Sequence, residues 1–261
     1  MTSFLSAFWA EALKARRSRV LPLTVAGFSI FPFVDGLFMF ILKDPARARA
    51  MGLVGAKAQL TAGVADWPTF FQVLLLGTAV GGAILFAFIT AWVFGREFSD
   101  DTVKELLALP TPREVIVGAK FALVALWVLG LTLLIFAMGL GVGRLVDIPG
   151  WTASLGSSSF GSFMIIVLLT FMLMPLVALF ASAGRGYLPP LAWAFLTMAL
   201  GQIAHVMGWA DWFPWAVPGL LGSPTGAPVE PMELHSYVVV VLTFIGGFAG
   251  TLAWWRGADQ T

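Results

Sequence analysis

FFQVLLLGTAVGGAILFAFITAWVF, residues 70–94, contains no Asp, Glu, Lys or Arg, and GREFSDDTVKELLALPTPREVIVGAK, residues 95–120, follows it directly. At about 1.5 Å of rise per helical residue, the first stretch is long enough to cross the roughly 30 Å hydrocarbon core of a bilayer. Its backbone must satisfy its own hydrogen bonds there, which makes it a helix. The second stretch is rich in charge and in Pro, so it belongs in water at one membrane face.

Five further apolar runs repeat the first pattern, at residues 20–42, 115–143, 160–183, 188–208 and 235–255. The expected fold is therefore all-α, a polytopic membrane protein of six transmembrane helices in one domain spanning residues 1–261. Composition agrees: 59% of residues are hydrophobic and 11% are charged, against about 25% charged in a soluble domain. The first run follows Lys14, Arg16, Arg17 and Arg19 and so superficially resembles a secretory signal. It is too long for one, carries Asp35, and is followed by five more spans.

Several functions are disfavoured at this level. A formal charge of +1 with basic residues scattered among the span-flanking segments does not suit a nucleic-acid partner. With no cysteine, disulfides, thiol catalysis and thiolate metal sites are excluded. His205 and His235 are the only histidines. No catalytic residue, metal site or cofactor site of its own is expected in this chain.

Short loops rich in Lys and Arg stay in the cytoplasm. With the N terminus inside, the inner segments hold ten basic residues and the outer segments five, which favours both termini inside. The first outer loop, with Lys43, Arg47, Arg49 and Lys57, is more basic than that rule expects. Residues 1–19 carry Phe4, Phe8 and Ala12 beside Leu5, Trp9 and Leu13 at helical spacing, then a basic end. That pattern suits an interfacial elbow helix with its aromatic side in the membrane, or an extension of the first span. In residues 209–234, Trp209, Trp212 and Trp215 suit the water–lipid boundary. Five prolines there, Pro214, Pro218, Pro224, Pro228 and Pro231, forbid one long helix, so a short re-entrant or surface helix and an irregular loop are expected.

The inner loop is where function is most legible. Asp101 can cap a helix starting at Thr102, Thr102 and Glu105 have capping-box spacing, and Pro110 stops that helix. Val103, Leu106 and Leu107 share one face, with Lys104 and Glu105 on another. Thr111, Pro112 and Glu114 form a second capping box opening the third span. These signals describe either a stiff lever beneath the membrane or a well-capped structural loop.

The order Arg96, Glu97, Phe98, Thr102, Leu106, Leu107, Pro110, Arg113, Lys120 resembles the permease subunits of type-2 ABC exporters. These move drugs, peptide antibiotics or lipids. The family motif runs Arg-Glu-aromatic, Gly-Thr, a Leu-Leu pair, Pro, Arg and then Lys in the next helix. This chain departs from it with Asp101 in place of Gly, at a turn where positive φ comes readily only to Gly. The resemblance implies a multi-pass protein of a bacterial plasma membrane, paired with a second permease copy, identical or homologous. It also implies two copies of a soluble ABC ATPase that binds ATP and Mg, because no G-x-x-x-x-G-K-[ST] loop occurs in this chain. The segment 96–113 would then be the coupling loop, with Val103, Leu106 and Leu107 docking on the ATPase, Lys104 on the same helix, and Arg96, Glu97 and Arg113 holding it by ion pairs.

Inside the spans, an acid is costly unless it meets water or a partner. Asp35 reads as a wall of the translocation path meeting a cationic substrate, as a protonated packing residue, or as a residue nearer the surface than the span suggests. Gln202 and His205, three apart on the fifth span, form a polar spot that serves the path or simply helix packing. Pro175 should kink the fourth span, and Gly77, Gly81 and Gly82 should admit a close neighbour. Two other readings compete with transport. One is a non-pumping scaffold or peptide-immunity protein. The other is an intramembrane hydrolase using the outer-loop serines Ser157–Ser159 with a histidine, which lacks the nucleophile pattern and the geometry a triad needs.

Overall fold

The computed structural model describes residues 2–52, 63–108, 110–222 and 232–257. Within them the chain forms α1 (Thr2–Arg17), α2 (Val20–Lys43), α3 (Pro45–Ala50), α4 (Trp67–Ser99), α5 (Val103–Leu107), α6 (Arg113–Leu145), α7 (Ala153–Ala183), α8 (Leu188–Met207) and α9 (Leu234–Gly257). Six of these, α2, α4, α6, α7, α8 and α9, are long and apolar enough to cross a membrane. The chain is thus a six-span, all-α polytopic membrane protein. Lys57, Leu109, Pro224, Pro228 and Pro231 lie outside the described residues.

α7 packs against α4, α6, α8 and α9, and α4 also meets α2 and α6. Without a hydrophobic drive between helices in lipid, this packing depends on close approach and on satisfied polar groups. Gly247 of α9 supplies the first, since a Cβ there would lie 2.6 Å from the Leu176 backbone nitrogen. Thr251 supplies the second, its hydroxyl donating to the Pro175 carbonyl at 3.0 Å. Between α2 and α4, the Phe31 ring occupies the space a side chain at Gly81 would need, and Phe28 lies against Gly82. The small residues of the second span therefore serve packing.

Helices α4, α6 and α7, of 33, 33 and 31 residues, outrun their apolar cores. At roughly 1.5 Å per residue they reach about 45–50 Å, so their ends project beyond the hydrocarbon and carry polar residues out in helical form. Two expectations are corrected as a result. Ser157 to Ser159 are not in a loop: Thr152 caps α7 by accepting from the Leu155 N–H, and the serines occupy its first turns. Nor do the two capping boxes form. Thr102 has φ −95° and ψ 2°, outside the extended region a cap needs, and makes no side-chain cap. α6 begins at Arg113 behind Pro112, which offers no side-chain acceptor, and the Glu114 carboxylate instead meets Arg256 at 2.8 Å.

At the first of these positions, the Thr102 N–H belongs instead to a Schellman turn that ends α4. The Thr102 N–H donates to the Glu97 carbonyl at 2.9 Å, with Asp101 left-handed at φ 54°. Asp101 therefore adopts the backbone conformation that a glycine would take with less strain. The same device closes α7 at Arg185 and α6 at Asp147. At the opposite face, Ala210–Trp212 and Val217–Leu221 are short 3-10 turns. Trp209 and Trp212 are exposed, while Trp215 is half-buried against Trp193. The short α3, capped by Asp44 on the Arg47 N–H, was not apparent from the sequence.

Candidate functional site

Two polar sites stand apart in the bundle. The first is where α1, the end of α4 and the start of α6 meet. Lys120 is fully buried, and its ammonium donates to Glu97 at 2.8 Å, to Glu11 at 3.2 Å and to the Val93 carbonyl at 2.8 Å. Lys14 closes the ring, 2.8 Å from Glu11 and 2.9 Å from Glu97. Two acids and two lysines thus neutralise one another. Burial works against the Lys14 charge, but the carboxylates of Glu97 and Glu11 outweigh it and hold its pKa above the ordinary lysine value. Glu11 is a site residue that sequence reading missed. Its signal was present, because Phe8, Glu11 and Ala15 lie at i, i+3, i+7, so the acid sits on the stripe that α1 buries.

The residues of the 96–113 loop surround this cluster in different ways. Phe98 is buried with its ring 5.5 Å from that of Trp254, and Arg96 binds Asp100 at 3.1 Å while lying over Trp92. Arg113 donates to the Trp255 carbonyl at 3.0 Å, tying the start of α6 to the end of α9. On α5, Val103 and Leu106, expected to dock on an ATPase, are instead half-buried against the chain's own bundle core, which leaves Lys104 and Glu105 as the exposed pair. Thr102 and Pro110 are exposed too, and the Leu107 side chain lies outside the described residues. A polar cavity of about 390 Å³ separates α5 from the cluster, lined by Lys14, Arg96, Glu97, Asp100, Glu105 and Leu106 among others.

The second site is within the spans. Asp35 is 4% exposed, and neither carboxylate oxygen has a hydrogen-bond partner among the described residues. It lines a cavity of about 540 Å³ bounded by Phe31, Phe38, Val73 and Gly77 and reached by Gln202 of α8. A neighbouring cavity of about 270 Å³ is lined by Gln202 and His205 together with Trp215. Leu76, Val80 and Gln202 border both, so the structure brings the three intramembrane polar residues onto one groove along α4.

The hydroxyls of Ser157 and Ser158 donate to the carbonyls of Ser154 and Leu155 on their own helix. His235 lies between Asp211 at 2.8 Å and Glu233 at 3.1 Å, stacked on Trp212. No group of three or more metal-ligating side chains occurs among the described residues.

Comparison with known proteins fits the six-span architecture. The sequence profile described as ABC-2 family transporter protein matches residues 7–201, from α1 through most of α8. The bacitracin transport permease protein BCRB of Bacillus licheniformis is 26% identical over 191 residues, covering 73% of this chain and 91% of the relative. No solved structure matches the chain significantly. The chain belongs to the ABC-2 family of transporter proteins, as the permease subunit that forms the translocation path of an ATP-binding-cassette exporter and is not itself an enzyme.

Proposed function

We propose that this permease works as one of a pair, with an identical or homologous second copy, and that each copy receives a soluble ATPase subunit carrying ATP and Mg. The observation behind this is the family match to a sequence in which no phosphate-binding loop occurs, which supports an ATPase separate from this membrane domain. The basic end faces the cytoplasm, with both termini inside and α1 as an interfacial elbow. Phe4, Leu5 and Trp9 of α1 are exposed and apolar, as an interfacial face requires.

α5 is the coupling helix in this reading, within the loop 96–113. Its outward Lys104 and Glu105 meet the ATPase, while Val103 and Leu106 seat the helix on its own bundle. Glu97, Lys120 and Arg113 anchor that seat to α1, α6 and α9. ATPase closure pushes the two α5 helices, the bundles rock, and the path changes the side to which it opens. Asp35, Gln202 and His205 line that path. A drug, peptide antibiotic or lipid is the cargo, and the bacitracin permease among its relatives favours a peptide antibiotic.

Charge reversal of Lys104 and Glu105 together tests the docking, and Leu106→Asp separately tests the seat of α5 on the bundle. Loss of ATPase co-purification with normal membrane insertion is expected. Retention by both variants, or labelling of Lys104 from outside the cell, would end this reading.

A further inference from the structure

We propose that the Asp35 cavity is a binding site for membrane-partitioning organic cations, in which the carboxylate recognises positive charge and the apolar walls hold the ligand body. The inference rests on the reading of this groove as part of the path and adds the chemical class of what it takes.

Asp35 lies eight residues before the end of α2, roughly 12 Å along the helix from Lys43. At that depth an ionised carboxylate needs a partner, and a span normally supplies one from a neighbouring helix. Here both oxygens are buried and none of the described residues meets them. Lys43, the closest cation along the helix, is engaged with Asp147 and the Val146 carbonyl at the outer end. The missing partner is therefore sought in the cavity that Asp35 lines.

That cavity has the size of a small-molecule site, which typically spans about 300–1,000 Å³. Its walls are Phe31, Phe38, Val73 and Leu74, with Gln202 as a second polar group. Apolar walls with a few convergent polar groups suit an amphipathic ligand, and a lone acid selects one that is cationic. The rim explains access. Val34 is 58% exposed and Gln202 is also exposed, so the mouth opens on the flank of the bundle at membrane depth. A ligand already dissolved in the bilayer reaches it sideways.

The test uses the full chain in lipid nanodiscs at neutral pH with two probes of similar shape, tetraphenylphosphonium as a permanent cation and triphenylphosphine oxide as its neutral counterpart. Wild type and Asp35→Glu should bind the cation, Asp35→Asn should bind it at least tenfold more weakly, and the neutral probe should differ less than twofold among the three. Equal cation binding by wild type and Asp35→Asn, or preference of wild type for the neutral probe, overturns the site. So does an Asp35→Asn variant that changes oligomeric state while leaving cation binding intact, since Asp35 would then face a second copy. If Asp35-dependent binding is found but the cation neither stimulates the ATPase of the complex nor is transported, the site stands and the path reading fails. If transport of another cargo persists while cation binding is insensitive to Asp35, the path stands and the site fails.

Discussion

The acids at the two sites are equally buried but differently served. Glu97 and Glu11 sit 3% and 5% exposed among two lysines, and Asp35 sits 4% exposed with nothing. A buried acid that is matched by cations of its own chain holds the fold together, whereas a buried acid left without a partner adds nothing to it. Burial alone therefore says little about an intramembrane acid, and its partners decide what it is for. The matched cluster also sits where α1, α4 and α6 converge beside α5, so its integrity fixes the platform on which the proposed coupling helix rests.

The strongest way to break the comparison is to unbalance the matched site. Lys120→Met leaves Glu97 and Glu11 buried against one half-exposed lysine, and a loss of about 3–5 kcal/mol is expected. It should appear as a large drop in the thermal unfolding midpoint of the detergent-purified chain. Adding Glu97→Gln to Lys120→Met should restore part of the loss, because the uncompensated charge goes with it. If Lys120→Met unfolds like wild type, the cluster is not structural.

Next comes Asp101, where the cost lies in the backbone. Asp101→Val should cost about 1–2 kcal/mol, because a β-branched residue resists the left-handed conformation that closes α4, while Asp101→Gly should be neutral or stabilising. The same unfolding measurement decides it, and equal midpoints for the Val and Gly variants would remove the Schellman turn from the account.

The spans were legible in the sequence because runs of twenty or more predominantly apolar residues admit one answer in a bilayer. Glu97 and Lys120 were singled out through the family resemblance, and their pairing emerged only from the fold. What was not legible followed from competition for the same groups. Thr102 has the chemistry of a cap, but its N–H closes α4 and holds its backbone outside cap geometry. Glu114 has the spacing of a capping box, but Arg256, distant in sequence, takes its carboxylate. Glu11 sits on the stripe that α1 buries, but its partner Lys120 lies 109 residues away on α6, so the pairing was not legible locally. The approach of Gln202 to the cavity of Asp35 depends on how α2 and α8 sit along α4, which a single sequence does not encode locally.

Lys14 offers a smaller, pH-resolved test on the rim of the matched site. Its folded pKa lies above the ordinary value of 10.5, so the stability it contributes is fully present below that pH. The contribution is lost as pH rises through the higher folded value. Because Lys14 is 32% exposed, solvent screening limits it to about 1 kcal/mol or less. The stability gap between wild type and Lys14→Met should be constant from neutral pH to about pH 10 and should narrow above it. A gap that widens with rising pH would have the wrong sign for a lysine held by Glu97 and Glu11.

The smallest expected effect on stability sharpens the comparison most. Asp35→Asn keeps the shape of the side chain and removes an ionisable group with no partner to lose, so the unfolding midpoint should stay level or rise, within about 1 kcal/mol. The corresponding Glu97→Gln should destabilise, since two lysines would lose the negative charge that pairs with them. Measured side by side, a loss at Glu97 and none at Asp35 would assign one acid to the fold and leave the other available for cargo. A loss at Asp35 as large as that at Glu97 would show that the carboxylate is already satisfied in the assembled protein, and the cavity would then have no unpaired charge with which to select a cation.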